Sequence, residues 1–194
     1  MKKKYTEREL KKIAFQLGNP AGNFGIEVAN KMSVVNLNLI HKTIDNLILK
    51  PNQEILEIGH GKTNHLEYIF SKTGKLKYYG LDISELMNEE AKNVNSELIK
   101  NKKATFKLYD GNNIPFQDSK FDRIFTVNTI YFWSNPEEFM NELYRVANFL
   151  YASENLSDLH LKRNNDIKKL IDLTEIYKLD LFSEINKLIE LDNR

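Results

Sequence analysis

The sequence predicts an α/β fold, in which a doubly wound and mostly parallel sheet follows a helical N-terminal extension. Two observations lead to this prediction. Before residue 52 the apolar residues recur at helical spacing, and after it short β-rich segments alternate with helical ones. Such alternation is typical of parallel strands that are connected by helices. We therefore expect a helical cap at residues 1–51 and a sheet domain at residues 52–194.

The N-terminal extension is predicted to contain two helical segments separated by a loop. Residues 5–17 place Leu10, Ile13 and Leu17 on one face, and residues 26–49 carry a second apolar stripe. Three glycines and a proline between residues 18 and 25 predict the loop. The loop is a candidate hinge for a lid over the sheet, and a static cap is the alternative.

Four strands and three helices are predicted in the sheet domain. The last helix has Asn135 as its expected cap, Pro136 in its first turn and Glu138 placed for a capping box. Beyond it the C-terminal end is atypical, with a candidate fifth strand at 149–152 and ambiguous segments at 176–181 and 185–191. The predicted strands span 53–58, 77–83, 104–109 and 121–127, and the helices span 65–71, 84–101 and 136–147.

The composition excludes several classes of protein. With 28 Lys and Arg against 27 Asp and Glu, the net charge of +1 offers no basic field for nucleic acid or anionic membranes. The absence of cysteine excludes disulfides and thiolate metal sites, and the four histidines lack the spacing of a zinc site. No apolar segment approaches the roughly 18 residues that span a bilayer. We expect a cytoplasmic protein with no membrane insertion, no nucleic-acid partner and no metal.

Acidic residues stand at the ends of three predicted strands. Glu57 ends the first strand just before a Gly59-x-Gly61 turn, Asp82 ends the second and Asp110 ends the third. In such a sheet, ligands bind outside the carboxyl ends of the strands. Three carboxylates suit a ligand with an ammonium group, a ribose diol and an adenine amine better than a pyrophosphate. S-adenosylmethionine carries all three groups and a sulfonium cation. The simpler alternative is that the three acidic residues are ordinary turn residues at strand ends.

Six segments, in order and at the expected spacing, resemble those of class I S-adenosylmethionine-dependent methyltransferases. The resemblance is to the broad group that includes the ubiquinone and menaquinone C-methyltransferases, and it implies a Rossmann-like sheet. It covers about residues 53–147. The matching segments are 55–61 (ILEIGHG), 79–84 (YGLDIS), 110–116 (DGNNIPF), 121–125 (FDRIF), 128–133 (NTIYFW) and 142–146 (ELYRV).

The resemblance assigns the glycine turn to the methionine part of the cofactor. Gly59 and Gly61 would let the backbone approach this ligand where a Cβ would clash. Glu57 would orient the turn and the amino group of the cofactor, directly or through water. His60 lies between the two glycines of this cofactor-binding turn, and we expect its side chain to face solvent rather than substrate. Thr63 stands where the family commonly has a small residue.

The remaining cofactor contacts are implied at the ends of the later strands. Asp82 would accept both ribose hydroxyls, and Ile83 would lie against the adenine ring. Asp110 and Gly111 would lie at the adenine edge, where Asp110 accepts from the exocyclic amine. Asn128 would face the methionine end of the cofactor, beside the reacting methyl group.

The resemblance also implies the reaction, an in-line displacement at the sulfonium methyl by a small-molecule acceptor. The enzyme mainly has to position the acceptor and exclude water, and no residue pattern announces a catalytic base. Tyr131 and Trp133 are candidate walls of the acceptor pocket, although aromatic residues after a strand are equally often simple packing.

Two other functions remain open at the level of the sequence. One is a non-catalytic binding protein on a degenerate methyltransferase fold, because the proline- and glycine-containing turn that the family has after Val146 is missing. The other is an NAD-dependent oxidoreductase, although the turn has Asn64 where a dinucleotide fingerprint would have its third glycine.

Overall fold

The computed structural model describes residues 6–148, which form an α/β structure. The strands are β1 (Glu54–Ile58), β2 (Lys77–Asp82), β3 (Ala104–Leu108) and β4 (Arg123–Thr126). A 3-10 helix, Ile130–Phe132, follows β4. The α-helices are α1 (Glu7–Gly18), α2 (Gly22–Val35), α3 (Leu37–Asn46), α4 (Leu66–Lys72), α5 (Glu85–Val94), α6 (Ser96–Lys100) and α7 (Pro136–Val146).

The four strands form a parallel sheet in the order β3-β2-β1-β4, which confirms the predicted doubly wound, Rossmann-like architecture. The chain builds the sheet outward from β1 to β3 and then returns to place β4 on the other side of β1. In register, Glu57 of β1 lies between Gly80 of β2 and Phe125 of β4. The topological switch point is therefore at the carboxyl ends of β1 and β4, where sheets of this kind bind ligands.

Each face of the sheet is covered by its own apolar cluster. Successive β1 side chains point to opposite faces, so Ile55 packs in one cluster with Tyr78 and Leu56 packs in the other with Leu81. All four side chains are fully buried. A buried side chain of this size stabilises the fold by about 1.5–3 kcal/mol, so the strands that lead to the switch point are firmly held.

The N-terminal helices differ from their predicted boundaries in two places. The loop spans only residues 19–21, because α2 begins at Gly22 in place of a loop that extends to residue 25. The long second segment is split at Asn36, whose side chain bonds to Asn128 across the sheet edge. At the start of α1, Thr6 and Glu9 form a capping box that the sequence analysis did not identify.

The later elements match their predictions with strand and helix ends shifted by one or two residues. The predicted helix at 84–101 is interrupted at Asn95, whose amide donates to Thr63 Oγ1 at 2.7 Å. The predicted cap of α7 is confirmed, because the Asn135 side chain accepts from the backbone of Glu138 at 3.3 Å.

The described chain ends beside β4. Ala147 forms a parallel bridge with Phe121, and Asn148 N donates to Phe121 O at 2.8 Å. The candidate fifth strand at 149–152 and the segments 176–181 and 185–191 lie outside the described residues. Between residues 6 and 148, no helix is long and apolar enough to cross a membrane.

Candidate functional site

A cavity of about 180 Å³ lies at the switch point, between the carboxyl ends of the strands and helices α1–α3. The structure brings ten of the eleven sequence-predicted site residues to its lining. Asp110 is the exception. The ten are Glu57, Gly59, His60, Gly61, Asp82, Ile83, Gly111, Asn128, Tyr131 and Trp133.

The glycine turn after β1 presents bare backbone to this cavity. Gly59 has a φ of +70°, and a Cβ at this position would overlap the side chain of Thr129. Gly61 has a φ of +56°, and no atom lies within 4 Å of the position that its Cβ would occupy. Glycine is therefore required at residue 59 by packing, whereas at residue 61 it keeps space open beside the ligand cavity.

Asp82 connects the end of β2 to the glycine turn. Its Oδ2 accepts from Gly61 N and its Oδ1 accepts from Ser84 N, both at 2.9 Å. Each carboxylate oxygen can accept more than one hydrogen bond, so both keep acceptor capacity for a ligand. Because the side chain is only 6% exposed, these backbone bonds fix the orientation of a carboxylate at the cavity lining.

Glu57 is the centre of a buried hydrogen-bond network. Its Oε2 accepts from His65 Nε2 at 2.8 Å and from the hydroxyl of Tyr78. Burial lowers the pKa of His65, but the charge of Glu57 and the hydrogen bond to it raise that pKa above its usual value. Burial and the Glu57 charge raise the pKa of Tyr78 well above its usual value. The network thus places two hydrogen-bond donors on one oxygen of Glu57.

His60 contradicts the expectation of a solvent-facing side chain, since it is only 3% exposed. Its ring packs edge-on against Phe106, and a Cβ at Gly80 would lie 2.7 Å from its Cδ2. Its Nδ1 lies 2.8 Å from Gly61 O, which can only accept, so Nδ1 carries the proton. The glycine at residue 80 of β2 makes room for the ring, and the ring in turn supports the glycine turn from below.

Thr63 and Asn95 stabilise the far end of the turn. Thr63 has a φ of +56°, a left-handed conformation that is uncommon for a β-branched residue. Its hydroxyl accepts from Asn95 Nδ2 at 2.7 Å, and both side chains are buried. The sequence shows only that Thr63 replaces a smaller residue, because nothing local indicates a partner 32 positions away.

Of the two predicted adenine-edge residues in the turn after β3, only Gly111 lines the cavity. Gly111 has a φ of +84°, lines the cavity and lies under Ile83, whose Cγ2 would be 3.3 Å from an added Cβ. Asp110 instead accepts from the backbone of Asn112 and Asn113, and its Oδ2 accepts from Asn113 Nδ2 at 2.7 Å. These hydrogen bonds lower the pKa of Asp110 to about 2. Its carboxylate is thus used within its own exposed turn.

The segment after β4 supplies the aromatic side of the cavity. Asn128 adopts a φ of +58°, and its amide donates to Asn36 Oδ1 at 2.9 Å. Tyr131 and Trp133 both line the cavity, and Trp133 also packs edge-on against Phe139 at a centroid distance of 4.6 Å. Trp133 therefore fits both predictions for these aromatic residues, because it lines the cavity and also packs in the core.

Helices α1–α3 form the opposite side of the cavity, and the sequence analysis assigned no site residue there. Their lining side chains are mostly apolar. The helical periodicity of the sequence predicts that these side chains are buried, but it does not predict what they pack against. At the end of α1, a Cβ on Gly18 would lie 2.8 Å from the Phe132 ring, so the helix and the segment after β4 approach closely. The lining residues from these helices include Leu17, Val28, Met32, Asn36, Leu37 and Ile40.

The cavity therefore has two chemically different halves. The strand-end half contains Glu57, Lys62, His65 and Asp82, and the other half carries only uncharged side chains among the described residues. Lys62 is paired with Glu90 at 3.0 Å. In the part of the chain that the structure describes, no cluster of acidic or histidine side chains could hold a metal ion.

The sheet domain is similar in sequence to a known domain family. Residues 56–148 match the sequence profile of a methyltransferase domain family. No curated protein matches the sequence of the chain. The matched residues include the glycine turn, all three acidic strand ends and the segment after β4, whereas helices α1–α3 lie outside the match.

Three solved structures are similar to this chain. A S-adenosylmethionine-dependent methyltransferase of Aquifex aeolicus is 26% identical, with a TM-score of 0.50, over 74% of this chain and 68% of that chain. A Methanococcus maripaludis protein described as an S-adenosylmethionine-dependent methyltransferase is 20% identical, with a TM-score of 0.53, over 98% of this chain and 86% of that chain. A Haloferax volcanii methyltransferase in complex with an activator is 18% identical, with a TM-score of 0.55, over 61% and 51%.

These matches show the fold. The described residues have a Rossmann-like methyltransferase fold, and residues 56–148 are similar in sequence to a methyltransferase domain family. This chain spans about half of the length of the Haloferax protein, at 51%.

Proposed function

We propose, because residues 56–148 match a methyltransferase domain family, that the chain transfers a methyl group from S-adenosylmethionine to a small-molecule acceptor. The observation that carries the proposal is the hydrogen bond of 2.9 Å between Gly61 N and Asp82 Oδ2. It joins an open glycine turn to a fixed carboxylate at the switch point of the sheet, where an adenosine-bearing ligand is expected.

The residues present at the strand ends fit this cofactor. The open space beside Gly61 accommodates a close ligand, and Asp82 has the acceptor capacity that a ribose diol requires. Glu57 offers a negative charge for an ammonium group, and Ile83 with Gly111 offers an apolar edge for adenine. Two carboxylates in one lining favour a cationic ligand over a pyrophosphate, which supports this cofactor over NAD.

When bound, the cofactor would supply a methyl group on a sulfonium that leaves readily, so that an acceptor held in line could take the methyl group. The chain contributes positioning and the exclusion of water, because the cavity is enclosed by α1–α3 on one side. Asn128 lies beside the glycine turn and is proposed to face the reacting methyl group. Asp110 is proposed to reach adenine only by giving up bonds within its own turn. We assign no catalytic residue.

Helices α1–α3 are proposed to act as a lid on the sheet domain. Sites for drug-sized ligands occupy roughly 300–1,000 Å³, and the cavity of about 180 Å³ is smaller. This size supports a movement of α1–α3 away from the sheet domain when a cofactor and an acceptor enter. The polar links that would open are Lys62 Nζ to Asn30 Oδ1 at 2.8 Å, Ser84 Oγ to Pro20 O at 2.6 Å and Asn128 Nδ2 to Asn36 Oδ1 at 2.9 Å.

A thermal-shift comparison of S-adenosylmethionine, S-adenosylhomocysteine and NAD tests the proposal. A ligand at about 100 times its dissociation constant stabilises the native state by roughly 2.7 kcal/mol. We expect this stabilisation with both adenosyl sulfur ligands. A shift with NAD alone would contradict the proposal, and no shift with any of the three would favour a non-catalytic binding protein. The narrower likeness to quinone C-methyltransferases is tested by acceptor turnover with labelled cofactor.

A further inference from the structure

We propose that the acceptor side of the cavity takes a small, uncharged and largely apolar molecule with one hydroxyl or carbonyl group. This inference rests on the proposed methyl transfer, because it names the chemical class of the acceptor. It is carried by the side chains that α1–α3 and the segment after β4 place on the lining.

The first argument is the distribution of charge. Among the described residues, the lining from α1–α3 and from residues 127–133 contains no Asp, Glu, Lys, Arg or His. The charged groups of the opposite half already have partners: Glu57 binds His65, Asp82 binds two backbone amides, and Lys62 binds Glu90 and Asn30. A carboxylate, phosphate or ammonium group on the acceptor would lose its hydration without gaining a counter-charge from any side chain of this half, which is costly.

The second argument is the apolar and aromatic surface of this half. Val28 is 5% exposed and packs in the α1–α2 cluster beside Leu17 and Met32, all on the cavity lining. Phe132 lies on the same lining, and its ring is near enough to Gly18 to exclude a side chain there. The walls are thus apolar on one side and aromatic on the other, which suits a flat apolar body.

The third argument is a pair of uncharged polar groups in the same half. The bond of 2.9 Å from Asn128 Nδ2 to Asn36 Oδ1 uses one donor and one acceptor, and each carboxamide retains further capacity. Trp133, also on the lining, has a buried indole N–H without a hydrogen-bond partner. Neutral donors and acceptors of this kind recognise a hydroxyl or a carbonyl oxygen.

The transfer itself is balanced for such an acceptor. The acceptor atom supplies the electron pair of the new bond to the methyl carbon, and the pair of the broken carbon–sulfur bond stays on sulfur. A proton carried by the acceptor atom is released to water. No charged residue of the acceptor half is needed for either step.

Matched probes on one skeleton test the class. The probes are 2-naphthol, 6-hydroxy-2-naphthoate and 6-(aminomethyl)-2-naphthol, titrated at neutral pH into the full chain saturated with S-adenosylhomocysteine. We expect 2-naphthol to bind about tenfold or more tightly than either charged probe, from the cost of an unpaired polar group. Equal or tighter binding of a charged probe, or binding of none, would overturn the inference.

Saturation with S-adenosylhomocysteine is measured first, in the same calorimeter. A chain that fails to bind this ligand contradicts the proposed function and the acceptor class together. A chain that binds it but does not prefer 2-naphthol contradicts the acceptor class alone.

Two variants of α3 test whether the probes bind against the α1–α3 side of the cavity. Leu37 lines the cavity and is 40% exposed, so Leu37→Lys is compatible with folding. We expect it to improve the affinity for the naphthoate relative to 2-naphthol by about threefold or more, as for a partly exposed ion pair. Leu39 is on the same helix, 47% exposed and off the lining, so Leu39→Lys is the matched control. Equal ratios in the two variants would overturn the placement.

Discussion

The two halves of the cavity are built by different means. In the strand-end half, charged side chains are fixed by bonds to backbone and to each other, as Asp82 is by Gly61 N and Ser84 N. In the half formed by α1–α3 and the segment after β4, apolar packing and one amide pair set the surface. The difference supports our proposals that the first half recognises defined polar groups of a cofactor and that the second selects an acceptor by shape and lack of charge.

The largest expected effect comes from the carboxylate at the end of β2. Asp82→Asn keeps the size of the side chain but removes its charge, and we expect a loss of about 1.5–3 kcal/mol in cofactor binding, more than tenfold in the dissociation constant. Calorimetry with S-adenosylhomocysteine measures it. The control is Asp110→Asn, which alters a carboxylate bonded within its own turn and should change the affinity much less. An equal loss of affinity in the two variants would contradict the prediction that Asp82 contributes more to cofactor binding than Asp110 does.

The buried network below the turn is tested by Tyr78→Phe. The change removes one of the two donors to Glu57 Oε2 and leaves a buried carboxylate underbonded. We expect the free energy of unfolding to fall by about 1–3 kcal/mol in urea titrations. Tyr79→Phe on the same strand is the control, because its hydroxyl donates to the half-buried Glu54 at 3.2 Å. A larger loss for Tyr79→Phe would contradict the ranking.

The open glycine is tested by Gly61→Ala. An alanine there must adopt a φ of +56° and places a methyl group in the space beside the cavity. We expect about 1–2 kcal/mol of lost stability and weaker cofactor binding, measured by urea unfolding and calorimetry. Gly74 also has no atom within 4 Å of an added Cβ but lies away from the cavity, so Gly74→Ala should leave binding unchanged. Cofactor binding by Gly61→Ala at the wild-type affinity would show that the space is not used.

The smallest expected effect is a pH dependence of stability from His65. Its pKa is raised in the folded state, so its contribution is complete below the unfolded value near 6.5 and is lost as pH rises through the folded pKa. The free energy of unfolding should therefore decline over that interval, and His65→Gln should remove this decline. His41→Gln, on a residue that stacks on Tyr68 outside the network, is the control. A stability that rises with pH in the wild type would reverse the assignment.

Most of the sheet and the strand-end half could be predicted from the sequence, because their signals are local. The glycine turn, Asp82 and the capped helix after Asn135 are each encoded within a few neighbouring residues. The hydrogen-bond partners of the site residues are not encoded locally. His65 and Tyr78 reach Glu57 from different elements, and Asn95 reaches Thr63 from the end of α5, so only the fold reveals them.

The errors have the same origin. His60 was expected in solvent because it lies in a loop, but burial depends on the empty position at Gly80 on the neighbouring strand. The second N-terminal helix is divided at Asn36, which accepts a hydrogen bond from Asn128, 92 positions away, and no local signal predicts that contact. Helical periodicity identified the apolar faces of α1–α3, yet a periodic pattern does not show that part of such a face lines a cavity.

The most direct test of the central claim is a crystal structure of the chain with S-adenosylhomocysteine. We expect the ligand between the carboxyl ends of β1 and β4, with its ribose hydroxyls within hydrogen-bonding distance of Asp82 and its amino acid part along residues 59–61. The side of the cavity formed by α1–α3 should stay free for the acceptor. A ligand bound with its ribose away from Asp82, or seated against the apolar wall of α1–α3, would contradict the division of the cavity into a cofactor half and an acceptor half.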